Sequence, residues 1–418
     1  MRGQFQFMKN PIKILLLIFA GEAIFLLPFV LARVFRPTFL AVFELTNVEL
    51  GKCYSTYGIV ALISYLTGGA LADRYKPRKL MAVALILTAI GGFYMASIPG
   101  LETLQILYGY WGFTTIFLFW SAMIKATRSW GGLTQQGKAF GFLEGGRGFI
   151  AASLGALGVW IFASFLPTAV TDADLSTRKE AFQWIIRIAA TFCMLVGVLV
   201  YFFLQDGNNL TKANRSDSIT DIKNAFSLPA VRMLMIIVLS AYIGYKITDV
   251  FSLYAAEIMG YDEVTAAKVG SYQMYLRPLI CVMVGLFADR WQNTRVLFGS
   301  FLLMLLGALL FASGKVTAAA TGLFIITLIL TATGTYTLRA VYFAAMQEGK
   351  IPFELTGTAV GLISVIGYTP DIFIGPIMGY FLDGSPGIWG HQQLFIFLAI
   401  FAFIGSLATY RFKKTAVD

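Results

Sequence analysis

Apolar runs long enough to cross a bilayer, separated by short polar breaks, repeat along the whole 418-residue chain. A helical span needs about 20 apolar residues. On that measure the pattern predicts twelve spans. The first six are 13–33, 50–72, 78–97, 101–124, 138–166 and 183–204. The second six are 230–256, 267–288, 294–313, 318–345, 355–381 and 392–410. The first run carries Glu22 and continues without a small-residue cleavage site, so it reads as a retained helix, not a signal peptide. The longest strongly polar interior stretch, Asp206 to Asn224, divides the spans six and six and reads as a linker. The expected fold is an all-α membrane protein of two six-helix bundles, residues 1–204 and 230–418, joined through 205–229.

Composition agrees: 58% of residues are hydrophobic and 13% charged, where a soluble domain is about one-quarter charged. An ordinary soluble enzyme and a disordered chain are excluded. The net charge of +10 is a topology signal. An even number of spans puts both termini on one side, where about 20 cations fall, among them Arg2, Lys9, Arg78, Lys79, Lys125, Lys212, Arg232, Arg295 and Lys413. The other side has about 7: Arg33, Arg36, Lys52, Arg178, Lys179, Lys268 and Lys315. By the positive-inside rule the termini and linker are expected in the cytoplasm of a bacterium, with no nucleic-acid partner. Cys53, Cys193 and Cys281 are odd in number and far apart, which indicates neither a disulfide framework nor a metal cluster. The single histidine, His391, excludes a multi-histidine metal site and is expected to be solvated in the last outer loop. Residues 132–138 fit G-x-x-x-x-G-K, but Ala139 stands where Mg²⁺ binding needs Ser or Thr, and a membrane helix precedes it. No cofactor is expected. The Asn209 and Asn214 glycosylation patterns would lie in the cytoplasm, unmodified. Gly141, Gly145, Gly146, Gly148 and Gly155 suggest close helix packing.

The halves repeat. Gly69-Ala-Leu-Ala-Asp73-Arg74-Tyr75 ends the second span and Gly285-Leu-Phe-Ala-Asp289-Arg290-Trp291 the eighth. Both read G-x-x-A-D-R-aromatic at matching places. The stretch Gly69 to Lys79 resembles the signature loop of the major facilitator superfamily, with Pro77 just beyond the place of the usual glycine. The resemblance covers the chain and implies transport by two rocking bundles around a site near mid-membrane. It also implies an inner gate, in which such aspartates pair with cations and with the start of a helix in the opposite half. The gate candidates are Asp73, Arg74, Arg128, Asp289 and Arg290, with the helix start around Thr356–Thr358 as a further partner. A narrower resemblance is to the organophosphate:phosphate antiporter branch. It rests on the position of Arg33 and on Gly357-Thr-Ala-Val-Gly361 followed by Gly367-Tyr368. Trp120-Ser121 lacks that branch's prolines, and Lys246 stands near its second substrate arginine without the bidentate fork.

Ionisable groups inside spans cost about 2.5–3.5 kcal/mol on insertion scales and read as functional by default. The carboxylates are Glu22, Glu144, Asp249 and Asp371, and the cations Arg147, Lys246, Arg277 and Arg339. Arg33 and Arg187 lie nearer the outer ends, where snorkelling is one reading; the substrate-binding candidates are Arg33, Arg147, Lys246, Arg277, Arg339 and Tyr336. Spacing of i,i+3 pairs Glu144 with Arg147 and Lys246 with Asp249. Such pairs either neutralise each other in a cavity wall or are switched by a substrate or proton. Arg277 and Arg339 have no opposite charge within a turn. Each needs a cross-helix partner, water or an anionic ligand, and Asp371 is one candidate for Arg339. Tyr336 and Tyr342 give the Arg339 face hydroxyl donors. Glu22 is either a proton acceptor or a structural hydrogen-bond partner. With Arg33 counted in, cations exceed carboxylates by one. The expected function is secondary active transport of a small anionic or zwitterionic metabolite by a monomer in the lipid bilayer, with a counter-anion or protons as the coupled partner. The alternatives are a proton-coupled symporter of an amino acid, peptide or metal-chelating metabolite, and a non-transporting sensor.

Overall fold

The computed structural model describes residues 11–131, 136–165, 174–205, 219–288, 292–346, 348–351 and 356–417. Among them every regular element is helical. Twelve helical runs follow the expected spans. They are α1 (Pro11–Val34), α2 (Asn47–Arg74), α3 (Pro77–Met95), α4 (101–131), α5 (Gln136–Phe165) and α6 (Leu175–Phe203). Then come α7 (Pro229–Glu257), α8 (263–288), α9 (Asn293–Ala312), α10 (Thr321–Val341), α11 (356–384) and α12 (Ile388–Val417). Nine of these runs contain a continuous helix long and apolar enough to cross a membrane. The face where the described chain starts and ends is called here the terminal face, and its opposite the distal face.

Local chemistry sets the ends. Helix α2 starts at a capping box: Thr46 accepts from the Glu49 N–H, and the Glu49 carboxylate accepts from the Thr46 N–H at 2.9 Å. This pulls the start a turn ahead of the expected residue 50. Asp174 and Asp262 cap α6 and α8 in the same way, each accepting backbone N–H bonds.

Buried apolar side chains of residues 225–412 form one core, and those of α1–α6 two adjoining cores, one of which takes in Val264, Ala267 and Met274 of α8. The first and last six helices meet along two seams, α2 on α11 and α5 on α8. Glycine makes the α2–α11 seam close. A Cβ on Gly51 would stand 2.4 Å from the Gly375 backbone, and one on Gly379 2.4 Å from Val48. In α5, Gly146, Gly148 and Gly155 lie against Ile18, Arg277 and Ser271, whereas a side chain at Gly141 or Gly145 would meet nothing. Close packing therefore holds for three of the five glycines singled out in that helix.

Candidate functional site

Four of the helices that carry intramembrane charge break their regular geometry beside it. Helix α1 has a π-helical stretch at Leu26–Val30, containing Pro28, between Glu22 and Arg33. Helix α7 tightens to a 3₁₀ turn at Thr248–Val250, on Asp249 itself. Helix α8 does so at Gln273–Tyr275, just before Arg277 and Pro278. Helix α11 turns at residues 368–369 ahead of Pro370 and Asp371. In a membrane such irregular backbone is tolerated where it is buried in protein or lines a cavity, and single π turns mark functional sites.

The charges meet across these breaks. Arg33 Nε donates to Asp249 Oδ1 at 2.5 Å and Arg33 Nη1 to the Tyr245 hydroxyl at 3.0 Å, joining α1 to α7. Arg147 donates to Glu144 at 2.6 Å and stands 3.5 Å from Glu22. Glu144 also accepts from Arg277, so one carboxylate bridges α5 and α8. Lys246 Nζ lies 3.2 Å from Asp371, whose two oxygens also accept from the Tyr242 hydroxyl. The Lys246 ammonium sits over the rings of Phe29 and Tyr54 at 4.5 and 5.0 Å. Tyr336 donates to Gln273 at 2.7 Å.

Several sequence expectations change here. The Glu144–Arg147 pair forms, because α5 is regular over that turn. Lys246 and Asp249 do not pair with each other. Each takes a partner from another helix instead, Lys246 from α11 in Asp371 and Asp249 from α1 in Arg33. Arg33 does not snorkel: it is 4% exposed and fully engaged, whereas Arg187 is exposed and stacks on Trp184. Arg277 finds its cross-helix partner in Glu144. Arg339 does not pair with Asp371, which Lys246 and Tyr242 occupy. His391 is not a solvated loop residue. It lies in the first turn of α12, is fully buried, and bonds Glu257 at 2.9 Å.

All four carboxylates of the cluster are thus matched, and Arg339 is the cation left over. Among the described residues no carboxylate lies within ion-pair distance of it, and its Nη1 is buried without a hydrogen-bond partner. Its guanidinium lies on the Tyr245 ring, 3.8 Å from the centroid, with Tyr242 at 5.7 Å. The sequence counted the surplus cation without identifying it. Tyr242, Tyr245 and Gln273, which hold the cluster together, carry no sequence signal beyond their place on the same helices. Of the gate candidates, Asp73 and Arg74 end α2 and Arg128 lies in α4. Their side chains, like residues Asp289 and Arg290, lie outside the description.

Twelve helical runs, nine of them containing a helix long and apolar enough to cross a membrane, joined by buried ion pairs, describe a polytopic membrane protein, and its family makes it a transporter, not an enzyme. Residues 14–373 match the Major Facilitator Superfamily, and the chain belongs to that family. It is 31% identical over 366 residues to the inner membrane protein YqcE of Escherichia coli (strain K12), covering 84% of this chain and 82% of that one. It is 25% identical to the inner membrane protein YihN of the same organism, covering 89% and 88%. Among solved structures it is similar to a D-xylose-proton symporter (TM-score 0.74, 14% identity, 96% of this chain and 97% of that one). It is also similar to an inward-facing bacterial homolog of the human lysosomal transporter Spinster (TM-score 0.72, 13% identity, 97% of each chain). At these identities the likeness shows the fold alone.

Proposed function

We propose that this chain carries a small organic anion, or a zwitterion through its anionic group, across a bacterial inner membrane. The bundles 1–204 and 230–418 would rock about the central cluster, tethered by 205–229, with both termini in the cytoplasm. The observation that carries this reading is Arg339: a partly exposed guanidinium, its Nη1 shielded and without a hydrogen-bond partner, in a cluster where every carboxylate already has a cation. A buried charge needs a partner, and a substrate carboxylate or phosphate supplies one. The rings of Tyr242 and Tyr245 flank the guanidinium, and Tyr336 with Gln273 braces α10 against α8.

Coupling requires a ligand that favours one state over the other. Glu144 offers the means. It is 35% exposed and shared between Arg147 and Arg277. A substrate anion at Arg339 that also drew Arg277 would release Glu144 from the opposite bundle. If Glu144 then takes up a proton, the protein is a symporter. If a second anion must replace the first, it is an exchanger. Arg33–Asp249 and Lys246–Asp371 hold the walls, and Glu22 sets the orientation of Arg147. Asp73, Arg74, Arg128, Asp289 and Arg290 would close the cytoplasmic side.

Purified protein in proteoliposomes loaded with a candidate organic acid tests this. Counterflow that survives collapse of the proton gradient indicates exchange. Uptake abolished by that collapse indicates symport. Tight binding with no flux under either condition would overturn the transport reading in favour of a sensor.

A further inference from the structure

Helix α4 contributes no charge to the cluster, yet it too breaks its regular geometry. Phe113–Trp120 is an eight-residue π-helical stretch that ends on Trp120, and π geometry often falls at functional sites. Trp120 belongs to an unbroken line of rings. It meets Phe25 of α1 at 6.2 Å and Tyr65 of α2 at 6.5 Å between centroids, both edge to face. Tyr65 stacks across the seam between the bundles on Tyr368 of α11, at 6.3 Å. Tyr368 meets Tyr242 of α7 at 4.8 Å, and the Tyr242 ring lies 5.7 Å from the Arg339 guanidinium. At the other end Phe25 faces the Arg147 guanidinium at 5.4 Å. Rings from both bundles thus link Arg339 to Arg147 contact by contact. Each of these rings is partly exposed, as are Arg339 and Glu144, whereas Arg33 and Asp249, nearer the distal face, are sealed. The arc is therefore reached from the terminal face.

We propose, taking Arg339 as the anchor of an organic anion, that the substrate is an aromatic monocarboxylic acid whose ring sits against Tyr65 and Trp120. Aromatic rings attract one another in offset-stacked or edge-to-face contact with centroids about 4.5–7 Å apart, and the arc offers both faces and edges. A polyhydroxylated body would need hydrogen-bond partners for each group it buries. The arc has few to give. The Tyr242 hydroxyl donates to both oxygens of Asp371, and the Tyr368 and Tyr342 hydroxyls bond each other at 3.2 Å. A flat ring needs no such partners and gains from burial of its apolar area. One anionic group is matched, because Arg147 at the far end of the arc is already committed to Glu144 at 2.6 Å. Tyr65 and Tyr368 belong to opposite bundles, so a ring held there touches a surface that rocking would part.

Titration calorimetry of the purified protein tests it, with benzoate and phenylacetate compared with cyclohexanecarboxylate, an acid of similar size and equal charge without a π face. The aromatic acids should bind about three- to tenfold more tightly. That preference should vanish in Trp120→Leu, shrink in Tyr65→Leu, and persist in Trp120→Phe and Tyr65→Phe, which keep a ring. Either leucine variant carries the test if the other fails to fold. A wild type that binds neither aromatic acid, or binds cyclohexanecarboxylate as tightly, overturns the proposal, and so does a preference that survives both leucine changes. Arg339→Gln judges the anchor separately. Loss of affinity for all three acids keeps Arg339 as the anchor even where the ring preference fails, and undiminished affinity removes it even where the preference holds.

Discussion

Replacing Asp249 by Asn removes one charge from a pair that joins positions 216 residues apart in the chain. Asp249 is fully buried and Arg33 is 4% exposed, so solvent cannot take over the lost interaction. Removing one partner of a buried pair costs about 3–5 kcal/mol, mostly because the other charge is left uncompensated. Arg33 keeps the Tyr245 hydroxyl at 3.0 Å and the Tyr245 ring at 4.6 Å, which places the expected loss at the low end, about 3 kcal/mol. With about 2.1 cal/mol/K of unfolding entropy per residue, that corresponds to a fall in Tm of about 3–4 °C. The neutral double variant Arg33→Gln/Asp249→Asn removes both desolvated charges and should recover part of the loss. Thermal unfolding of the wild type, both single variants and the double variant completes the cycle. An Asp249→Asn protein as stable as the wild type, or a double variant less stable than either single one, would refute the reasoning.

Three further outcomes follow from particular contacts. Gly51→Ala places a Cβ 2.4 Å from the Gly375 backbone. It should force α2 and α11 apart, and hydrogen exchange of the 45–60 segment should rise; unchanged protection would contradict the close seam. Glu144→Gln takes the charge from the one carboxylate that Arg147 and Arg277 share. If the protein is a symporter, uptake driven by a proton gradient should fall at least tenfold while counterflow persists; equal loss of both argues against a coupling role. Asp262 caps α8 from outside the membrane. Partial burial raises its carboxyl pKa, but hydrogen bonds from Thr265 and Val264 outweigh this and hold it below the usual range. Its contribution is therefore present above the ordinary carboxylate pKa and is lost as pH falls through the depressed value. Asp262→Ala should cost about 0.5–2 kcal/mol at neutral pH, and a cost unchanged by acidification would count against the ionised cap.

Nine of the spans were legible as long apolar helices, the other three by their place between polar breaks, and α5 kept its i,i+3 pair because its helix is regular there. Lys246 and Asp249 were misjudged because spacing along one helix sees only partners on that helix, while Asp371 and Arg33 reach them from α11 and α1. The surplus of one cation could be counted from sequence, but only the pairing of the four carboxylates identifies it as Arg339. His391 was read as solvated because it stands near the end of a span, and Arg36 was only counted as an outer-side cation. Arg36 is instead enclosed by the short helix after α1 and the start of α2, and His391 lies in the buried first turn of α12. Neither enclosure has a periodic sequence signature.

The most direct measurement is equilibrium binding of a transported organic anion to the wild-type protein and to Arg339→Gln, with thermal stabilisation by the same anion as a parallel readout. A hydrogen bond to a charged group contributes about 1.5–3 kcal/mol, so the account predicts a Kd raised by about tenfold to more than a hundredfold. The fold should remain intact. Undiminished affinity in a correctly folded Arg339→Gln protein would contradict the assignment of Arg339 as the substrate's anchor.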